Sequence, residues 1–420
     1  MIPKKLALIV LIVLLINSLF VDLPLFPQRT ATRSLMFLFA PAILLLILAI
    51  SRFRFKIFDG ITKIFIVYSI STLAASCAIL IIFLPFRGII VYERNIMVKF
   101  IEAFFSLTLL HMIVYFLYIN SVYRISYRTF SHIIFATFLL LVIVGIVEYF
   151  EPEVIEIFHV QPRDYDRLRL LGAEPSQTVL IFSVVSFLSF LLARRSYVKM
   201  AVGLTYFALL YFIASKGIFI SMITSVLCLI LLNPKSLTSI IAAIPIFVVA
   251  IYSFFTIVVP GLKLDITYSS SFITRASGML SAVYILFTYP FGLGYGTYLS
   301  LYPEIVEKTS NFLSKLFRHE FNLSEIYMMK EYGENIGAKS TLAQLVMFNG
   351  ILGLFFFFFL FYRLYTSSKF VFARFGELNS VAYKFFTLTL FIQLAIGTEY
   401  NLLYIIWLYI AFGEAVRKNG

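Results

Sequence analysis

The chain has 420 residues, of which 61% are hydrophobic and only 13% charged, with a mean hydropathy of +0.97. A soluble domain is about half apolar and a quarter charged, so this composition excludes a soluble globular protein. The net charge of +13 does not indicate nucleic-acid binding, because the basic residues are spread over segments that border apolar runs, where a membrane protein places its cationic anchors.

Met1–Phe20 opens with Lys4-Lys5 and continues into an apolar run with no small-x-small cleavage site after it. It reads as an uncleaved first span rather than a removable signal. Counting from there, the apolar runs fall at 6–21, 35–51, 61–84, 100–119, 129–150, 177–193, 198–214, 217–232, 238–259, 340–363, 382–397 and 400–416. Their lengths are close to what an α-helix needs to cross about 30 Å of hydrocarbon. The expectation is an all-α polytopic membrane protein of about twelve transmembrane helices, with residues 1–420 forming a single integral membrane domain. The seventh and eighth spans meet at Ser215-Lys216-Gly217, and together they are too long for one crossing.

The basic residues fix an expected orientation. With the N-terminus inside, the inner segments collect 18 of the 34 basic residues, among them Lys4, Lys5, Arg194, Arg195, Arg417 and Lys418. Only Asp59, Glu377 and Glu414 join them among the acids. Both termini are then cytoplasmic. The outer side receives a loop at 151–176 and a large loop at 260–339. The large loop contains an apolar helix-compatible segment, Thr274–Tyr289, ended by Pro290. After it, Ser300–Phe321 reads as an amphipathic helix with Ile305, Phe312, Leu313, Leu316, Phe317 and Phe321 on one side. Such a helix suits the membrane surface.

Candidate chemistry gathers on that outer side. Arg167, Arg169, Gly172 and Glu174-Pro175 sit at the lip of the sixth span, with Arg163 shortly before them. An arginine offers a permanently charged fork of donors that suits phosphate oxygens. A carboxylate just before a proline at a helix start is held by the helix dipole or accepts a proton. The plain alternative is a set of snorkelling arginines with an internal carboxylate partner, and Arg163 and Arg167 read that way. Glu148, Glu151, Glu153 and Glu156 read as a solvated acidic ridge. Lys216 is a lone cation at the outer end of a helical hairpin. Arg275 precedes Gly292, Gly294 and Gly296, whose spacing is not a dinucleotide fingerprint. It reads as a tight turn that lets the backbone approach a ligand or a neighbouring helix. His319 in the large loop is a candidate base near neutral pH. Glu399 faces the same side in a short turn, and His111, inside the fourth span, reads as a packing residue. Cys77 and Cys228 lie singly in apolar runs, and no His/Cys/Asp cluster has metal-ligand spacing.

Taken in order, Arg169-x-x-Gly172-x-Glu174-Pro175-Ser176, Ser215-Lys216-Gly217, Arg275 followed by Tyr289-Pro-Phe-Gly-Leu-Gly-Tyr-Gly296, and Lys339-Ser-Thr-Leu through Gly353 resemble the O-antigen polymerase (Wzy) and O-antigen ligase superfamily, over roughly residues 160–365. The resemblance implies a GT-C-type membrane glycosyltransferase in the bacterial inner membrane with a periplasmic active face. Its substrates are oligosaccharides carried on undecaprenyl diphosphate, which is the leaving group of an inverting transfer that needs no metal or other cofactor. Arg169 and Arg275 match the arginines that hold the diphosphate. Lys216 takes the place of the arginine in a Ser-Arg-Gly break, and Glu174 or His319 is left as the catalytic base. Lys339-Ser340 stands where ligases carry His-Asn, so the resemblance favours a polymerase, with the bilayer and a polysaccharide chain-length regulator as partners. A lipid-oligosaccharide flippase is the reading from another class. It calls for charged residues along a central path and for inverted repeats, neither of which is evident.

Overall fold

The computed structural model describes residues 3–23, 34–51, 59–159, 167–172, 174–232, 237–399 and 403–419. It is almost entirely helical. The helices are α1 (Lys4–Leu19), α2 (Met36–Ser51), α3 (Gly60–Arg87), α4 (Ile96–Phe104), α5 (Leu110–Val122), α6 (Tyr127–Phe150), α7 (Pro152–Glu156), α8 (Pro175–Leu192), α9 (Ser196–Ile213), α10 (Lys216–Leu232), α11 (Leu237–Ser253), α12 (Val259–Tyr268), α13 (Ser271–Thr288), α14 (Tyr298–Phe317), α15 (Ser324–Tyr332), α16 (Thr341–Phe375), α17 (Glu377–Ile396) and α18 (Ile405–Asn419). Two π-helical turns, Phe105–Leu109 and Phe254–Val258, join α4 to α5 and α11 to α12 into continuous rods.

Among the described residues, nine helical stretches have the length and hydropathy to cross a bilayer, and Met36–Ile50 and Lys216–Leu231 are shorter apolar helices. The chain is a multi-pass helical membrane protein. Each of the twelve expected runs overlaps a helix, but the first and last fall on α1 and α18, which are not among these candidate crossings. One of the nine stretches, Ser271–Thr288, lies inside the expected outer loop and coincides with the apolar segment that ends at Pro290. Residues 260–339 are therefore mostly helical. An unexpected feature is a two-stranded ladder, β1 (Ile90–Val91) with β2 (Arg94–Asn95), closed by Tyr92 and Glu93 in the left-handed region. Arg94 Nη1 donates to the Gly333 carbonyl at 2.8 Å and ties this hairpin to the end of α15.

The main core cluster is centred on α5, α16, α17 and α18, and a small second one joins Leu229 of α10 to Val381 and Leu388 of α17. Trp407 donates through Nε1 to His111 Nδ1 at 2.7 Å, and the imidazole stacks on Tyr404, which gives His111 the packing role expected of it. At one end of the bundle Arg363 makes two bonds to Glu414, at 2.7 and 3.0 Å. This pair explains how Glu414 tolerates being 3% exposed: a buried charge is sustained only with a well-placed partner.

The helix expected over the 300–321 segment is present as α14, and only part of its apolar side is buried against the protein. In α14 the buried face is built from Tyr302, Ile305, Val306, Thr309 and Leu313, turned toward α13 and α16, while Phe312, Leu316 and Phe317 are exposed. The helix docks with a stripe of mixed apolar and small polar residues, because Ser281 and Thr309 hydroxyls meet at 2.8 Å across the α13–α14 contact.

The turn at 289–297 is docked into a break in α16. Gly350 adopts φ 56°, ψ −130° and interrupts the helix, which orphans backbone groups on either side of it. Leu293 and Gly294 donate their N–H groups to the carbonyls of Met347 and Phe348 at 2.7 and 3.0 Å, and Ile351 N–H donates to the Pro290 carbonyl at 2.8 Å. Gly292, itself at φ +83°, has room for no side chain: a Cβ would lie 2.6 Å from the Asn349 and Gly350 nitrogens. Gly294 lies beside Ser76 and Gly296 against Ile96. The backbone approach expected at these glycines is thus made to helices of the same chain.

Candidate functional site

A cavity of about 570 Å³ opens where the starts of α8, α10 and α13 meet α12 and the end of α17. Arg167, Arg169, Glu174, Lys216 and Arg275 all line it, with Asp265 and Gln393. Three segments far apart in sequence therefore deliver four cations and two carboxylates to one space.

Each segment is placed by identifiable contacts. Residues 167–172 form an irregular loop clamped from several sides. The buried carboxylate of Glu148, at the end of α6, accepts from the backbone N–H groups of Arg169 at 2.8 Å and Leu170 at 2.6 Å. Leu170 sits at φ +49°, an uncommon conformation for a branched side chain, and this pair of bonds holds it there. Thr178 Oγ1 and Gly172 N–H both donate to the Arg169 carbonyl, and His159 Nε2 lies 3.1 Å from the Leu170 carbonyl oxygen. Arg169 is 3% exposed, so its charge is presented from a fixed, largely dehydrated position. Glu148 is therefore no part of a solvated ridge: it is 2% exposed and shapes this loop. Sequence reasoning missed it, as it missed Asp265. The signal for Glu148 was a carboxylate within the last turn of an apolar helix. Arg167, read as an interfacial anchor, lines the cavity instead; Arg163 lies outside the described residues.

Replacing Glu148 by Ala should leave two buried N–H groups without an acceptor, at about 1–3 kcal/mol each. Glu148→Ala is then expected to be cleaved by trypsin after Arg167 or Arg169 under conditions that leave the parent protein whole, with Glu148→Gln intermediate. Equal resistance of all three would show that the carboxylate does not hold the loop.

Ala214, at φ 48°, ends α9, and the chain reverses within two residues so that α10 begins at Lys216. The break expected at Ser215-Lys216-Gly217 is there, but the lysine is not lone. Its Nζ lies 2.7 Å from Asp265 Oδ2 and 2.9 Å from the Gly261 carbonyl. Asp265 thereby fixes Lys216 on the cavity wall and offsets part of its charge. Arg275, on the first turn of α13, donates through Nη1 to the Gly397 carbonyl at 3.3 Å. Glu174 is the N-cap residue of α8 and stands exposed at the rim.

Lys339 and Glu399 border this space without lining it. Lys339 Nζ pairs with Glu325 at 2.9 Å, and its backbone N–H donates to Glu399 Oε1 at 3.1 Å. Burial lowers the pKa of the Lys339 ammonium, but Glu399, Glu325 and Glu174 outweigh it and the net shift is upward. Lys339 is accordingly a fixed cation at neutral pH and not a base. His319 is not brought in. It is exposed, packs edge-on against Phe321, and its Nε2 lies 3.4 Å from the carbonyl oxygen of Ile266, one residue beyond the cavity-lining Asp265. Among the described residues no group of three or more His, Cys, Asp or Glu stands in a metal-holding arrangement.

The fold and the cavity define a multi-pass helical membrane protein with a cation-lined pocket at one end of its bundle. No protein-family model matches the chain, and no curated protein matches it significantly.

Proposed function

We propose that the chain is a membrane glycosyltransferase of the O-antigen polymerase type, which extends a polysaccharide at the outer leaflet of the bacterial inner membrane from repeat units carried on undecaprenyl diphosphate. The observation that carries this reading is the convergence of Arg167, Arg169, Lys216 and Arg275 with only two carboxylates, Glu174 and Asp265, on one cavity. The balance of two positive charges suits a diphosphate. Its arginines supply directed, charge-assisted hydrogen bonds that strengthen as the leaving group gains charge.

In this reading the donor's diphosphate lies between Arg169 and Arg275 with Lys216 beside it. A hydroxyl oxygen of the acceptor sugar attacks the anomeric carbon from the opposite face. The bond from that carbon to the diphosphate oxygen breaks, undecaprenyl diphosphate leaves, and the hydroxyl proton passes to Glu174. Glu174 is preferred to His319 because it stands at the cavity rim. The protein's own cations do the work of stabilising the leaving group, so the transfer is expected to need no metal or nucleotide. The test is direct: purified protein in lipid nanodiscs, given lipid-linked repeat units, should produce a ladder of polymer and free undecaprenyl diphosphate at undiminished rate in EDTA. Absence of any product longer than one repeat, under conditions where the substrate is shown to bind, would rule out polymerisation.

The outer placement has its own check. In a variant with Cys77 and Cys228 replaced by serine, a single cysteine at exposed Asn311 should react with an impermeant thiol reagent from the periplasm. One at exposed Ala373 should be protected until the membrane is opened. The reverse pattern would turn the cavity toward the cytoplasm, where lipid-linked repeat units are not polymerised.

A further inference from the structure

A second cavity, of about 270 Å³, lies deeper among the helices between α8, α9, α10 and α17. Its wall is almost wholly apolar and rich in rings, among them Phe187, Phe190, Tyr206 and Phe386. Of the hydroxyls that reach it, Ser183 bonds Tyr206 OH at 2.9 Å and Thr389 donates to the Phe385 carbonyl at 3.0 Å, which leaves Ser186 as the one lining serine without a partner among the described residues. The space favours hydrocarbon.

Its position relative to the cation-lined cavity is set by the α9–α10 reversal. The two helices are joined by a two-residue turn but do not pack along each other: α9 leans on α8, and α10 on α17 and α11. They diverge from an apex that carries Ser215 and Lys216 of the polar cavity, and the apolar cavity fills the wedge between them. Helices α8, α10 and α17 line both spaces, α8 and α17 along continuous stripes at helical spacing. On α8, Ser176 belongs to the polar cavity and Ser183, Phe187 and Phe190 to the apolar one. On α17, Gln393 belongs to the polar cavity and Thr389, Phe386 and Ala382 to the apolar one. At 1.5 Å per residue, Thr389 lies about 6 Å below Gln393, and Ser183 about 10 Å below Ser176.

We infer that this wedge is the binding site for the isoprenoid tail of the lipid whose diphosphate occupies the cation-lined cavity. The inference rests on the proposed reading of that cavity. The volume falls just under the roughly 300–1,000 Å³ of sites that enclose a whole ligand, so it houses a segment of chain and leaves the remainder in the bilayer. Flat, branched alkene units match a ring-lined slot, and the slot thereby distinguishes a polyprenyl carrier from a saturated phospholipid with the same phosphate.

Gly203 of α9 provides a test that spares the fold, because a Cβ there would meet nothing within 4 Å and the glycine borders the cavity. The probe is undecaprenyl diphosphate bearing a photoreactive diazirine on an isoprene unit near the head, bound to the purified full-length protein in nanodiscs. Cross-links are expected on the peptides containing Tyr206 or Phe386. They should be displaced by unlabelled undecaprenyl diphosphate but not by phosphatidylglycerol. Gly203→Trp should weaken undecaprenyl diphosphate binding about tenfold, in line with what a hydrophobic pocket discriminates, and leave geranyl diphosphate binding unchanged. Labelling spread evenly over lipid-facing helices, displacement by phosphatidylglycerol, or equal binding by the Gly203→Trp variant would each overturn the tail site. Because the readout is binding, it separates the two ideas. Correct labelling without any polymer would keep the tail site and reject the transfer, and polymer with labelling elsewhere would do the opposite.

Discussion

Arg169→Ala and Arg275→Ala should each lower the rate of polymer formation by about 10²–10³, the cost of removing one preorganised charge-assisted contact to a group that becomes more negative in the transition state. Arg169 is the sharper case. The residue is 3% exposed, and its backbone is pinned by Glu148 and Thr178, which fixes where its charge is presented. Arg→Lys at either position should recover activity only in part, because lysine keeps the charge but loses the planar fork of donors. Protein level and membrane insertion should persist; among the described residues the guanidinium of Arg275 makes one long bond, to the Gly397 carbonyl. Arg194→Ala, at the exposed start of α9 on the opposite end of the bundle, should behave as the parent. The measurement is polymer length on gels in a strain lacking the native gene. Cells carrying the inactive variants should retain single repeat units on the final acceptor. Full-length polymer from both alanine variants would reduce these arginines to interfacial anchors.

The second large effect is structural. Gly350→Ala should destabilise the fold by about 3 kcal/mol or more, through a left-handed backbone that alanine resists and an unavoidable overlap. A Cβ at position 350 would run into the carbonyl oxygen of Pro290, which is backbone and cannot rotate away. Pushing the 289–297 turn out of the α16 break would also unpair the Met347 and Phe348 carbonyls. That turn anchors the far end of α13, whose first turn carries Arg275, so surviving protein should also bind donor poorly. Fluorescence-detected size exclusion after a temperature series reads the stability directly. Gly203→Ala is the control, with open space at its Cβ and a gain in helix propensity, and should be neutral or slightly stabilising. If Gly350→Ala melts with the parent, the docking of the turn contributes nothing to the fold.

Membrane class, the helices and most of the cavity's chemistry were legible in the amino-acid sequence, because each is written in local signals. Hydrocarbon thickness imposes a length on every apolar run, and arginines beside such runs stand out against 13% charge. Arg169, Glu174, Lys216 and Arg275 were found this way, and they share one space. What the sequence could not give was which groups meet. The Asp265 partner of Lys216 is 49 positions away, and the docking of 289–297 pairs a glycine turn, through Leu293 and Gly294, with the distant carbonyls of Met347 and Phe348. Glu148 read as solvent-exposed because its neighbours are acidic, yet a carboxylate is buried readily when two backbone N–H groups converge on it, and only packing supplies that convergence. His319 looked like a base by residue type, yet it is not among the residues that line the cavity. Composition and periodicity thus determined what this protein is made of and where its charges lie along the chain. The tertiary structure alone decided which of those charges face each other, since that depends on contacts between residues that carry no mark of one another in the sequence.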